Sequence, residues 1–436
     1  MRWLSNSNIL YRSIKVLVFL CFLCASNHLW AKKITRTLPV LISNTINLQG
    51  DTLYLKKGGT IRFQGGKICN GTVVFNENRI IEPSFEDCRF LGIVADSYFN
   101  IRDYGAKPTM NKDCSNIFND IIKLKIAPES SNNPKHIYVP KGAYYIDKPI
   151  ELFAGWNSPV TLHGEGRNSI ICQRTDNQYI IKFFEQNHIK DLMLTYKNQQ
   201  SASQTNAIAI ACQRAIYSLF ENLIISKANT AFGYISLNNQ KKGYNPTGYK
   251  DQCYVSCNFR NIRIYETSGY AFDCKKEFPQ GDSGSAYDNI YISSNDLNGK
   301  NPKNVSKGAI RGDNTVACFT QLNIEGSNYT EPLINLGGMS RVDIQSLHVE
   351  GIKKMPAIAN VSIQSVVAFD IIDLQSCYFA MPEYNAFVIK DSGLVNVKIL
   401  TLRQDCKKAA GNKKAVLSNS IQRLSVGQKI DSIKLF

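Results

Sequence analysis

Beyond residue 31, no part of this 436-residue chain holds the apolar run of about 20 residues that a membrane-spanning helix needs. That excludes a helical membrane protein for the body of the chain. Basic residues coincide with no zinc-finger or RNP pattern, so a nucleic-acid partner is not expected. Of the 13 cysteines, 11 follow residue 31, an odd and scattered set unlike the dense framework of a small disulfide-stapled domain. Cys253 and Cys257 lack a neighbouring His or Cys pair, which speaks against zinc. Several cysteines sit in the rung sequences, including Cys257, Cys274, Cys318 and Cys377, and those that point inward are read as small hydrophobes. No dense acidic cluster marks a calcium site. Only one long helical pattern occurs, near residue 120.

What the chain has in place of these is a recurring phrase. Phe220-Glu221-Asn222-Leu223-Ile224-Ile225, Phe259-Arg260-Asn261-Ile262-Arg263-Ile264 and Tyr287-Asp288-Asn289-Ile290-Tyr291-Ile292 share an aromatic, any residue, asparagine, then two apolar positions separated by one. Looser copies begin at Asp191, Phe319, Ser346 and Asp373, and the unit recurs at roughly 25 to 40 residues, as in a solenoid. From about Tyr138 to the C-terminus, period-two alternation is broken by turns of Gly, Asn, Asp and Ser. Short strands at this spacing predict an all-β fold, a parallel β-helix with one strand set per coil. Asp191, Asn222, Asn261 and Asn289 then stack on successive coils, each side chain bonding the next, a structural rather than catalytic role.

The start of the chain has its own organisation. Arg2, Arg12 and Lys15 precede the apolar run Val16–Ala25, with small-residue exits at Ala25 or Ala31, so residues 1–31 read as a signal peptide. Removing them takes away three basic residues and no acidic ones, leaving 48 basic against 35 acidic. That excess suits an anionic partner, which for an exported protein means an acidic glycan, a membrane surface or nucleic acid, the plain alternative being a solvated lysine-rich surface. Residues 32–97 alternate β-rich runs with glycine and asparagine turns, a small β-module. An amphipathic helix follows at about 113–126, with Ile117, Phe118, Ile121, Ile122 and Leu124 on one face and Asp113 or Ser115 as cap. It is placed as a lid on the end of a solenoid that occupies residues 98–436.

Three phrases then invite comparison with a known family: Tyr98-Phe99-Asn100-Ile101-Arg102-Asp103-Tyr104-Gly105-Ala106, Ile137-Tyr138-Val139-Pro140-Lys141-Gly142-Ala143-Tyr144, and Val160-Thr161-Leu162-His163-Gly164-Glu165-Gly166. Together they resemble the opening of pectate lyase superfamily (pectate lyase 3-like) proteins. The family's Asp-Gly pair is absent, and Asp113-Cys114-Ser115 stands where two aspartates and a threonine are usual. The resemblance implies a right-handed parallel β-helix with a short N-terminal capping helix, a body used by polysaccharide-cutting enzymes, viral tailspikes and non-catalytic binders alike. The glycine-rich prelude resembles that of exported Bacteroidetes members, which implies the periplasm or the cell surface and surroundings of a Gram-negative bacterium.

Rung alignment points to a site. Residues between and after the inward positions face outward on one sheet, giving Arg263 and Tyr265, Tyr291 and Ser293, Asn323 and Glu325, His348 and Glu350, then Gln375. Aromatic rings beside Arg, Asn and His donors and two carboxylates are the chemistry of a glycan groove. Glu325 and Glu350 share one register, 25 residues apart, as neighbours able to divide the roles of acid and base, with His348 as an alternative proton carrier. For hydrolysis, carboxylates this close favour retention of configuration. A lyase would instead abstract a proton beside a uronate carboxylate with Arg263, Tyr265, Tyr291, His348 or Arg311, that carboxylate being neutralised by Arg or by Ca2+. No cofactor or metal is otherwise called for. Asp313, beside Arg311 and just before the Glu325 rung, is placed so as to reach the groove from a loop. Asp343 and Asp370 are aligned on successive rungs, and Asp373 falls on the asparagine ladder. The chain thus reads as an exported enzyme that degrades a polysaccharide by hydrolysis or elimination. The alternative is a glycan-binding or adhesive surface protein, in which the glutamates only hold turns.

Overall fold

The computed structural model describes residues 33–35, 41–127, 134–152, 159–235, 254–274, 281–298, 305–326, 328–352, 355–377, 387–402 and 429–435. Residues 1–31, read as a signal peptide, lie outside these, as does Cys253. Every strand pairing of the main body is parallel and joins one coil to the next. Gly308–Asp313 lies between Tyr270–Cys274 and Ile334–Gly337. Val316–Glu325 lies between Asp282–Ser293 and Arg341–Glu350. Strands that meet only their counterparts one coil away build a right-handed parallel β-helix. One apolar core runs through it from Ile42 to Leu400.

The recurring phrase explains how a coil closes. Its aromatic points inward and stacks on its counterpart, with ring centroids 4.8 Å apart for Phe220 and Phe259 and 4.3 Å apart both for Phe259 and Tyr287 and for Tyr287 and Phe319. Its asparagine bends the strand. Asn222, Asn261 and Asn289 have φ of 52°, 53° and 51°, and Asp191 has 57°, the left-handed region that Asn and Asp enter most easily after glycine. There the side chains form the expected ladder, each Nδ2 donating to the Oδ1 of the previous rung at 2.8, 3.0 and 2.8 Å. The following Ile or Leu returns to the core, and the next residue faces out on a new sheet. Eight of the nine described cysteines are buried and all nine are free thiols; Cys318 is the exposed one, at an outward position.

The N-terminal module is built the same way on shorter coils, with Leu53 beside Val73 and Val73 beside Phe90 on parallel strands. Its core joins the main body through Tyr104, whose ring lies 5.4 Å from Phe85 and 5.6 Å from Phe99. The helix is Ser115–Lys123, shorter than the sequence suggests because Lys125–Ile126 leave it to pair with Ile93–Val94. Ile117, Phe118, Ile121 and Ile122 are buried between the Phe85–Val94 strand and the first coil. Asn119 does the work of a strand neighbour at that coil's edge, donating to Pro149 O at 3.0 Å and accepting from the Glu151 N–H at 2.8 Å. The N-cap position falls to Cys114 rather than to Asp113 or Ser115, while Asp113, one residue earlier, accepts from the Ser115 N–H at 2.9 Å. Lys135, buried, donates to Ile122 O at 2.6 Å at the other end. Among the described residues no helix is long and apolar enough to cross a membrane.

Candidate functional site

Strand pairing sets the outward positions after the ladder in two columns. One runs Arg263, Tyr291, Asn323, His348, Asp373; the other Tyr265, Ser293, Glu325, Glu350, Gln375. Glu325 and Glu350 are direct partners on neighbouring strands, which lie about 4.8 Å apart. Asp373 is a correction. It stands not on the asparagine ladder, a position that Ile371 takes opposite Ser346, but two residues further on, opposite His348. The same shift separates Asp343, whose partner is Ala368, from Asp370.

Arg263, Tyr265, Tyr291 and Asn323 line an open groove of about 730 Å³, edged by Arg167 and the asparagine ladder. The rings of Tyr265 and Tyr291 are 5.5 Å apart. Tyr291 is half-buried and donates its hydroxyl proton to Glu325 Oε2 at 2.6 Å, so the groove floor ends on a carboxylate. Burial, followed by that hydrogen bond, raises the Tyr291 hydroxyl well above its usual range and keeps it a donor near neutrality.

Next along the column is a hydrogen-bonded row. His348 Nδ1 is 3.0 Å from Asp373 Oδ2, and His348 Nε2 is 3.3 Å from Glu350 Oε2. With Asp373 accepting from Nδ1–H, Nε2 is left to exchange a proton with Glu350. His348 is only 23% exposed, so the ring is held rather than free to swing. Among the described residues, the bonds made by the carboxylates of Glu325 and Glu350 go to Tyr291 and His348, not to the turn backbone. The turns rest on the glycines instead. At Gly326, φ is +108° and a Cβ would sit 2.0 Å from Ser294 Oγ, while Gly351 has φ +67°.

Arg311 does not line this groove. It lies within the Gly308–Asp313 strand, on another sheet, and its guanidinium grips the Asp273 carboxylate, with Nε 2.9 Å from Oδ1. Arg311, expected among the groove residues, and Asp313, expected to reach the groove from a loop, both belong to this strand instead. Asp373 is the residue that sequence reasoning put in the wrong place, and its signal was present in the phrase Ile371-Ile372-Asp373-Leu374, which fits the rung as well as the phrase beginning at Asp373 does. Among the described residues no three His, Cys, Asp or Glu side chains converge as a metal site.

A parallel β-helix with a lid helix at its N-terminal end is the architecture of the pectate lyase superfamily. More particularly, residues 98–330 match the family model described as rhamnogalacturonase A/epimerase, pectate lyase-like, and the chain belongs to that family. The match begins at Tyr98, where the opening phrases begin, and takes in the groove and Glu325 but not His348, Glu350 or Asp373. Membership places the chain among polysaccharide-degrading enzymes in general. No curated protein and no solved structure matches it.

Proposed function

We propose that this protein is an exported glycosidase that binds an acidic polysaccharide along the groove and hydrolyses it at Glu325 and Glu350. The observation that carries the reading is the pair of neighbouring carboxylates with different partners, Glu325 accepting from the Tyr291 hydroxyl and Glu350 facing His348 Nε2. Glu350, against His348 Nε2, is the group to deliver a proton to a leaving oxygen, while Glu325, which accepts from Tyr291, serves as nucleophile or base. Glu325 and Glu350 are partners on neighbouring strands, and carboxylates close together favour retention of configuration, which is the expected outcome. Arg263 and Arg167, both exposed, supply positive charge for uronate groups, and Tyr265 and Tyr291 the faces on which sugar rings rest. The basic balance of the chain and its opening residues support export towards such a substrate.

The test is incubation with a panel of acidic and neutral polysaccharides, following new reducing ends together with absorbance from unsaturated uronates. Reducing ends without that absorbance, unchanged by a chelator, are expected. Glu325→Gln and Glu350→Gln should each lower turnover by about 10²-fold or more while leaving the thermal midpoint and glycan retention intact. Both signals together would replace hydrolysis by elimination. Binding that survives in every variant with no turnover in the parent would make this a non-catalytic binder.

A further inference from the structure

Of the five histidines, His28 lies outside the described residues and His348 belongs to the groove end. The other three, His136, His163 and His188, come together on the outer face of one sheet, on three successive coils. His136 and His188 are the strand partners of Thr161 on either side, and His163 follows two residues after Thr161 on the same face. The rings of His136 and His163 have centroids 6.1 Å apart. Tyr98, partner of His136 on the coil before, is 54% exposed, with its ring 6.2 Å from that of His163. Lys190 is the partner of His163 on the coil after. All three imidazoles are half-buried, and His163 Nε2 and His188 Nδ1 have no hydrogen-bond partner. A buried ring nitrogen left unpaired is destabilising, so packing does not account for the cluster.

The carboxylates around these rings are engaged elsewhere. Glu165 accepts from the Tyr138 hydroxyl and from the Lys141 N–H at 3.1 Å, Asp191 accepts from Asn222 Nδ2 at 2.8 Å, and Glu221 stands between Lys190 and Arg260 in the strand register. Burial holds His163 and His188 below the usual histidine range, the charges of His136 and Lys190 push the same way, and Asp191 opposes them at His163. We propose that this face is a second contact for an acidic polysaccharide, engaged in mildly acidic surroundings, where the three histidines and Lys190 present positive charge to uronate carboxylates and Tyr98 offers its ring to a sugar. An anion on the face stabilises the imidazolium forms, so binding and proton uptake reinforce each other. None of these residues lines the groove, whose Arg167 and Arg263 keep their charge across this pH range. The two contacts therefore differ in how pH acts on them.

Retention of the protein on immobilised polygalacturonate tests this, measured from about pH 7.5 to about pH 5.5, where the polymer's carboxylates stay ionised. Affinity should rise about tenfold or more as pH falls, with proton uptake on binding, and should stay flat on a fully methyl-esterified polymer. The rise should shrink to about twofold or less in His163→Gln and in His188→Gln. Tyr98→Ala, at an exposed position, should weaken retention at the lower pH even where a histidine variant disturbs the coils. His348→Gln and Arg263→Ala should keep the rise, which separates this face from the groove and makes the outcome independent of any cleavage. The proposal is overturned if affinity does not change with pH, if the rise survives in His163→Gln, His188→Gln and Tyr98→Ala alike, or if it is lost in His348→Gln. It is also overturned if vesicles of anionic phospholipid show the rise and polygalacturonate does not.

Discussion

His348 sits between two carboxylates because a side chain one strand over and a side chain two residues along both reach its ring nitrogens. Asp373 holds Nδ1 and so decides which nitrogen faces Glu350. Asp373→Asn should therefore lower turnover by about tenfold. Fold should be kept and the ring 15N shifts of His348 should change, since the tautomer is no longer set; unaltered shifts would make Asp373 a bystander. A second prediction concerns Asp282, buried beside Tyr287, whose hydroxyl donates to Oδ2 at 2.6 Å. Burial pushes this carboxyl up to about 7, with the Ser285 and Tyr287 hydrogen bonds opposing it. Because the folded value lies above the usual value of about 4, folding favours the protonated acid, and stability declines as pH rises from about 4 to 7. Thermal melts should show the parent losing midpoint across that window and Asp282→Asn losing much less; parallel curves would refute the assignment. Neither His348 nor Asp282 advertises its partner in the chain, since Asp373 is 25 residues from one and Tyr287 is merely one more aromatic in a rung.

The recurring phrase is the element that could be read directly, because each of its residues answers to a local demand. The aromatic fills the coil, the asparagine takes a left-handed bend, and alternation sends the next residues in and out. Asn261 illustrates the balance. It gives one hydrogen bond to Asn222 and takes one from Asn289, at φ 53°. Replacing it with Ala loses both bonds and strains the backbone, together about 2 kcal/mol. Asn261→Gly should recover the strain and cost less, a difference that chemical denaturation can resolve; equal losses would mean that the bend contributes nothing. The helix was legible in the same way, through its apolar face. Its end was not, because Lys125–Ile126 respond to the strand edge beside them rather than to helix propensity.

At the scale of the whole molecule the chain is strongly basic, with 51 Lys and Arg against 35 Asp and Glu. Long-range attraction of that sign falls off over about 10 Å at 0.1 M salt. Migration through a gel containing an acidic polysaccharide should be retarded at low salt and largely released at 0.5 M, whereas Arg263→Ala should weaken retardation at every salt level. Retardation by neutral polysaccharide alone would separate the charge from the function. Because core, ladder and aromatic stack all run from coil to coil, the site is supported by neighbours on both sides rather than by a separate scaffold.

The sequence by itself determined that the chain coils, which residues face its core and which face water, and that Glu325 and Glu350 share a register. These follow from alternation and from the asparagine bends, both local properties of the chain. Only the tertiary structure decided that Asp373 meets His348 and that Arg311 belongs to another sheet with Asp273. The reason is the period of a β-strand. A slip of one residue exchanges inside for outside and is visible in the pattern, but a slip of two preserves every inward and outward position while changing every neighbour. The turns between coils set that choice, and their lengths vary, so the partners of an outward side chain are fixed by how coils stack and not by the phrase in which the side chain is written.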